Sequence, residues 1–288
     1  MSDNILISPA QLEQMAESLP TVIIDTRSPD AYAAGHIPGA VNLHDIFTFL
    51  ATSSKEGLED LRSKFAEAFG AAGLSGEEVA VVYEDSMNSG FGQSCRGYFL
   101  LEFLGYPKAV ILHGGYQAWL AETLPVSTDI ATPEAKTFPV DELSASVMLT
   151  KDDMLSSLET DDIIKLDVRD VDEWVGTSSS PYGIDFCPRK GRIPGAVWLE
   201  WYRMMKPGEE VPVFKSKEEL QAECSTVGIT ADSTVYIYCF KGARASNTFV
   251  ALKEAGVKDV RLYFGSWNEW SRDEMLPIED GHIAWKAA

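Results

Sequence analysis

Gly35-His36-Ile37-Pro38-Gly39-Ala40-Val41 is written twice in this chain, the second time as Gly191-Arg192-Ile193-Pro194-Gly195-Ala196-Val197, 156 residues further on. Upstream, Val22-Ile23-Ile24-Asp25-Thr26-Arg27 pairs with Ile164-Lys165-Leu166-Asp167-Val168-Arg169, the aspartates 142 residues apart. Downstream, Gly114-Gly115-Tyr116-Gln117-Ala118-Trp119 pairs with Gly265-Ser266-Trp267-Asn268-Glu269-Trp270 at an offset of 151. Three motifs recurring in one order identify an internal duplication. The changing offsets locate two insertions. The second copy gains 14 residues between its Asp-x-Arg and its Ile-Pro-Gly-Ala, and the first gains about four after its second strand.

Each copy alternates strand and helix patterns. Thr21–Asp25 and Ile163–Asp167 are short apolar runs that end in a carboxylate, as buried parallel strands do. Val79–Tyr83 and Thr234–Tyr238 are β-branched and aromatic, again strand-like. A loop and a helix follow each of these: Tyr98–Leu104 before Gly105, and Phe249, Leu252 and Ala255 at three-residue spacing before Gly256. A further strand (Ala109–Leu112; Val260–Tyr263) then leads through a glycine turn into a Trp-bearing helix. The alternation predicts an α/β protein of two tandem domains, each a parallel sheet flanked by helices. At 288 residues the chain accommodates two such domains. The expected division is 1–130, a linker at 131–144 overlapping the proline-bearing stretch Pro125–Leu143, and 145–288.

Composition narrows the function. A net charge of −20 opposes binding to nucleic acid, whose phosphates this surface would repel. Met1–Gln14 lacks a basic cluster and an apolar run, and no stretch reaches the roughly 18 apolar residues of a membrane span. The expectation is a soluble, cytoplasmic protein. The four cysteines (Cys95, Cys187, Cys224, Cys239) form no CxxC pair and the four histidines are scattered, so no metal site is expected and the thiols are read as reduced.

Chemistry concentrates in Cys239-Phe240-Lys241-Gly242-Ala243-Arg244. Ligands of open α/β sheets bind beyond the carboxyl ends of strands, and Cys239 directly follows one. Backbone N–H groups of the loop, the N-terminus of the following helix, Lys241 and Arg244 all suit an anionic, nucleophilic sulfur. Gly242 permits close backbone approach or positive φ. The same cradle suits a bound oxyanion. In the first copy Glu84 aligns with Cys239, and a carboxylate cannot carry sulfane sulfur, so that domain is expected to be inert in transfer.

Asp-x-Arg, then Gly-His-Ile-Pro-Gly-Ala, then Cys-x-x-Gly-x-Arg after a strand resembles a rhodanese domain. Gly265-Ser266-Trp267-Asn268-Glu269-Trp270 is similar to the closing segment of tandem thiosulfate and 3-mercaptopyruvate sulfurtransferases. The resemblance implies double displacement: Cys239 takes sulfur from a small-molecule donor as a persulfide and passes it to cyanide or a thiol, with no metal or organic cofactor. It also implies a structural first domain and a catalytic second. Two self-contained domains are compatible with a monomer.

Thiosulfate enzymes of the family resemble Cys-Arg-Lys-Gly-Val-Thr, and mercaptopyruvate enzymes Cys-Gly-Ser-Gly-Val-Thr. Lys241 matches the first and suits a dianion, which favours thiosulfate over 3-mercaptopyruvate, whereas Phe240 and Arg244 match neither. Two other classes of function compete: an anion-binding regulatory module, and a cell-cycle-type phosphatase. The phosphatase loop is Cys-x5-Arg, whereas this one is Cys-x4-Arg with Ala245 at the next position.

The 14-residue insertion, within Ser178–Arg192, brings Arg189, Lys190 and Arg192 together as an expected donor-binding rim, with Arg192 the leading member. Cys187 also lies there, where packing and a thiol approaching Cys239 both stand as readings. Asp167 and Arg169 are expected to support the loops by hydrogen bonds.

Overall fold

The chain is described from a computed structural model that covers residues 4–141 and 146–280, so 142–144 of the expected linker lie outside the described residues. It divides into two compact units. One comprises Met1–Phe49, Glu56–Val147 and Met205–Ser216; the other comprises Leu50–Lys55, Met148–Met204 and Lys217–Ala288. Each unit takes a short segment from the other copy. Hydrogen bonds hold these segments. In the first unit Phe214 N–H donates to the half-buried His113 Nε2 at 2.9 Å. In the second, Ser53 N–H and Oγ both donate to Glu269, and Ser53 Oγ accepts from Lys151 N–H at 2.7 Å.

The first unit runs β1 (Leu6–Ile7), α1 (Pro9–Ser18), β2 (Thr21–Asp25), α2 (Pro29–Ala34), β3 (Val41–Asn42), α3 (Asp45–Thr48), α4 (Lys55–Ala71), β4 (Val79–Tyr83), α5 (Gln93–Phe103), β5 (Ala109–Leu112) and α6 (Gly115–Ala121). Its sheet is parallel with order β1-β5-β4-β2-β3, and β4 is buried along its whole length. The second copy repeats this with β6 (Met148–Leu149), α7 (Lys151–Ser156), β7 (Ile163–Asp167), α8 (Val171–Trp174) and β8 (Val197–Trp198). A short antiparallel pair, β9 (Met205–Lys206) and β10 (Val213–Phe214), precedes α9 (Lys217–Ser225), β11 (Thr234–Tyr238), α10 (Ala243–Ala255), β12 (Asp259–Tyr263) and α11 (Ser266–Trp270). The parallel order β6-β12-β11-β7-β8 matches the first sheet strand for strand. The expected α/β architecture is thus observed, and the predicted central strands Thr21–Asp25, Val79–Tyr83, Ile163–Asp167 and Thr234–Tyr238 have the predicted bounds. Among the described residues, no helix is long and apolar enough to cross a membrane.

One buried interaction explains why the three repeated motifs recur together. In the second copy Arg169 Nη2 lies 2.6 Å from Asp167 Oδ2, and both side chains are fully buried. Tyr238 Oη donates to the same carboxylate at 2.7 Å. Arg169 also donates to the carbonyl of Gly191, the first residue of the repeated heptapeptide, and stacks 4.5 Å over Trp267. The first copy builds the same assembly from Asp25, Arg27, Tyr83, the Gly35 carbonyl and Tyr116. Such a charge is tolerable in a core because it is paired with a carboxylate and its Nε and Nη2 are hydrogen-bonded, although Arg169 Nη1 has no hydrogen-bond partner among the described residues.

The strand end of β4 holds a second buried charge problem. Glu84 is fully buried, accepting from Gln93 N–H and Ser94 Oγ, both at 2.9 Å, at the start of α5. Burial pushes its carboxyl up to about 8, against the lowering effect of those donors. The unfolded chain therefore releases this proton at lower pH than the folded one, and stability falls as pH rises from the ordinary carboxylate range toward 8. Glu84→Gln should flatten this slope. In calorimetry at about pH 5 and about pH 8, its Tm should change less between the two conditions than the parent's does.

Candidate active site

The run Thr234-Val235-Tyr236-Ile237-Tyr238 forms β11 because β-branched and aromatic side chains fit a strand packed on both faces. It pairs in full with β7, from Thr234 opposite Ile163 to Tyr238 opposite Asp167. Cys239 consequently sits at the carboxyl edge of the sheet, 1% exposed, between the Asp167–Arg169 assembly and the start of α10. Gly242 caps that helix with φ 91°, a conformation that favours glycine, and a Cβ there would come within 3.0 Å of the Phe264 ring. The turn aims Gly242 N–H at Cys239 Sγ, 3.1 Å away.

The loop is also fixed from below. Trp267 N–H donates to the Cys239 carbonyl at 2.9 Å and Asn268 N–H to the Phe240 carbonyl at 3.0 Å. Cys239 N–H donates to Ser266 Oγ at 3.2 Å, and that hydroxyl donates to the Tyr263 carbonyl at 2.8 Å. Ser266 holds φ 54°, uncommon for a side chain with a Cβ, where the matching residue of the first copy is Gly115 at φ 65°. Ser266 was not anticipated from sequence; the visible signal was the change from Gly-Gly to Gly-Ser between the two copies.

The cations divide differently from expectation. Arg244 is 6% exposed and committed: Nη1 and Nη2 donate to the Glu173 carboxylate at 2.6 and 3.2 Å, and Nη1 lies 3.0 Å from Asp170. Burial opposes its charge, but Glu173 above all, then Cys239 and Asp170, outweigh burial and keep it protonated. Glu173 is the second residue missed in the sequence, although Asp170-x-x-Glu173 reads as a capping box directly after Asp167-x-Arg169. Lys241, half-buried, places Nζ 5.5 Å from the centre of the Tyr182 ring. Phe240 is buried against Tyr182 and Phe186 of the insertion, and Ala243 is the buried first residue of α10.

The expected rim of Arg189, Lys190 and Arg192 is not assembled. Arg189 donates to the carbonyls of Trp270, Ser271, Asp273 and Leu276, pinning the insertion to the segment after α11. Lys190 donates to the Thr177 carbonyl. Arg192 pairs with Glu279 and stacks 4.1 Å over Trp174, so its guanidinium is used inside the fold. These bonds let the insertion present aromatic side chains to the Cys239 loop. Cys187 is buried in the same apolar cluster as Phe240, Tyr238 and Trp267, and burial raises its thiol. Cys95 lies buried within α5 and Cys224 within α9, the latter thiol pushed up to about 11 by burial.

Beside the loop, α11 borders a groove of about 540 Å³ lined by Leu50, Thr52, Asn268, Glu269 and Arg272. Asp170, Asp172 and Glu173 cluster closely enough to hold a cation, but Asp170 and Glu173 are the partners of Arg244.

Comparisons with known proteins agree with this arrangement. The rhodanese-like domain family matches residues 8–122 and 150–273. The thiosulfate sulfurtransferase of Azotobacter vinelandii is 31% identical over 278 residues, covering 96% of this chain and 97% of that protein. The sulfur carrier protein TtuD of Thermus thermophilus is 29% identical over 261 residues and 87% of each chain. Among solved structures, wild-type EanB superposes with a TM-score of 0.81 at 24% identity, over 97% of this chain and 70% of EanB, a likeness of fold. With both of its copies matched, the chain belongs to the rhodanese family and carries two rhodanese-like domains in tandem.

Proposed function

We propose that this protein is a sulfurtransferase that moves sulfane sulfur from a small anionic donor, thiosulfate, to a thiophilic acceptor through a Cys239 persulfide. One observation carries the reading. Cys239 Sγ ends a parallel strand and accepts the Gly242 N–H at the N-terminus of α10, while the aligned position of the other copy is the buried carboxyl of Glu84.

The reaction follows as two displacements. The Cys239 thiolate attacks the sulfane sulfur of thiosulfate; the donor S–S bond breaks and its electron pair leaves with sulfite. An acceptor, cyanide or a thiolate, then attacks the terminal sulfur of the persulfide. The Sγ–S bond breaks and its electron pair returns to Cys239. Negative charge is present on the cysteine sulfur or on the terminal sulfur throughout, which suits a cradle of N–H dipoles at a helix N-terminus. Neither step needs a metal or organic cofactor. The first domain, with Glu84 in the cysteine's place, is inert in transfer, and all the named groups belong to one unit, so a monomer suffices.

Thiosulfate is preferred because Lys241 lies two residues after Cys239 in the loop, and a cation there rewards the second charge of the donor. The names of the relatives point the same way. Phe240, packed by Tyr182 and Phe186, supplies an apolar wall beside the cradle. Arg192 contributes through Glu279 and Trp174, holding the Ile193-Pro194-Gly195 turn.

Thiocyanate formation from cyanide should proceed several-fold faster, in kcat/KM, with thiosulfate than with 3-mercaptopyruvate, and Cys239→Ser should abolish it with both. Equal or reversed donor preference would move the assignment to mercaptopyruvate, and turnover in the serine variant would remove Cys239 from the reaction. Lys241→Ala should raise KM for thiosulfate about tenfold, the factor carried by one charged hydrogen bond, and leave kcat nearly unchanged. An unaltered KM would show that the ammonium does not meet the donor.

A further inference from the structure

The duplication supplies an internal control for the surroundings of Cys239. Alignment on the strand-end aspartates, Asp25 with Asp167, sets Ala31 against Glu173. Alignment on the left-handed glycines that begin the two helices, Gly92 with Gly242, sets Ser94 against Arg244. Both members of the Glu173–Arg244 pair are therefore missing from the copy that lacks the cysteine.

Other supports of the loop are present in both copies. The Asp–Arg assembly is repeated. So are the two N–H groups of the closing helix, given to the carbonyls of Glu84 and Asp85 in one copy and of Cys239 and Phe240 in the other. The architecture requires those bonds, whereas it forms without a glutamate–arginine clamp. The clamp accompanies the sulfur nucleophile, not the fold.

Its geometry indicates what it does. Glu173 is 1% exposed on α8, the short helix after Arg169, and its carboxylate engages both terminal nitrogens of Arg244 in the first turn of α10. Two residues before Arg244, the same turn supplies the N–H that meets Cys239 Sγ. The clamp thus sits on the turn that holds the sulfur. It also occupies a guanidinium that would otherwise face an anionic centre at close range, in a site where charges interact strongly.

We propose that Glu173 is a positioning residue for sulfur transfer: by claiming both terminal nitrogens of Arg244 it keeps the guanidinium off the persulfide, leaving the terminal sulfur cradled by backbone N–H groups and free to depart. The inference rests on the sulfurtransferase reading above. An unclamped Arg244 binds anions in the cradle more tightly, which favours the dianionic donor and retards discharge, where the acceptor must take the sulfur and the electron pair must return to Cys239. Glu173→Gln keeps the shape and one acceptor oxygen and removes the charge.

The test uses the full chain in quenched-flow, charging with thiosulfate and discharging with cyanide. The parent must first charge with one sulfur; if it does not, the sulfurtransferase reading itself fails. Given a charging parent, E173Q should charge to the same extent with a lower KM for thiosulfate, and discharge about tenfold more slowly, the factor of one charged hydrogen bond. E173A/R244S, which copies the first domain and has no guanidinium to release, should discharge within about threefold of the parent. This double variant also keeps the test decisive should E173Q prove unstable. Unchanged discharge in E173Q, or a double variant that discharges about tenfold more slowly than the parent, would overturn the proposal in favour of a purely structural clamp.

Discussion

The ion pair of Arg169 and Asp167 is the constraint on which the catalytic half of this molecule depends. One guanidinium, fully buried, meets the end of β7, the Gly191 carbonyl that opens the Ile-Pro-Gly-Ala turn, and the face of Trp267 on α11. Tyr238, the last residue before Cys239, bonds to the same carboxylate. Three motifs remote in sequence are thereby joined around the strand end that carries the nucleophile. Losing either charge would strand the other in a low-dielectric interior, a cost of about 3–5 kcal/mol for a buried pair. The twin assembly at Arg27 and Asp25 shows that this is a property of the fold, independent of the chemistry placed on it.

On that common frame the two copies diverge in how they treat negative charge. The first places a carboxyl against the helix start and buries it, and burial raises it to about 8. The second places a sulfur there, with Gly242 N–H directed at it. A protein with a net charge of −20 must bind an anionic donor against its own long-range field. Oriented N–H dipoles answer this locally, since they attract an anion without adding a mobile counterion to the site. Arg244, a loop cation that could do the same work by formal charge, is instead paired with Glu173 and Asp170.

The duplication, the parallel sheets and the position of Cys239 were all legible in the sequence, because each rests on local pattern: motif recurrence, β-branched runs, and a glycine three residues after a strand-end cysteine. What was hidden depends on partners distant along the chain. Arg189, Lys190 and Arg192 read as a basic rim, but their carbonyl and carboxylate partners lie in Thr177 and in the stretch from Trp270 to Glu279. Arg244 read as a free cation because Glu173, 71 residues earlier, gave no sign of facing it. Edge strands of two residues, such as Leu6–Ile7 and Met148–Leu149, are too short to show alternation. The segments 50–55 and 205–216 join the unit of the opposite copy through individual hydrogen bonds, which composition cannot reveal.

The central claim is that Cys239 carries the sulfur and no other thiol does. The most direct measurement is the intact mass of the protein after exposure to thiosulfate, followed by peptide mapping of any adduct. The account predicts a gain of one sulfur atom, mapped to Cys239, removed by cyanide and absent in Cys239→Ser. A sulfur adduct that persists in that variant, or maps to Cys187, would contradict it.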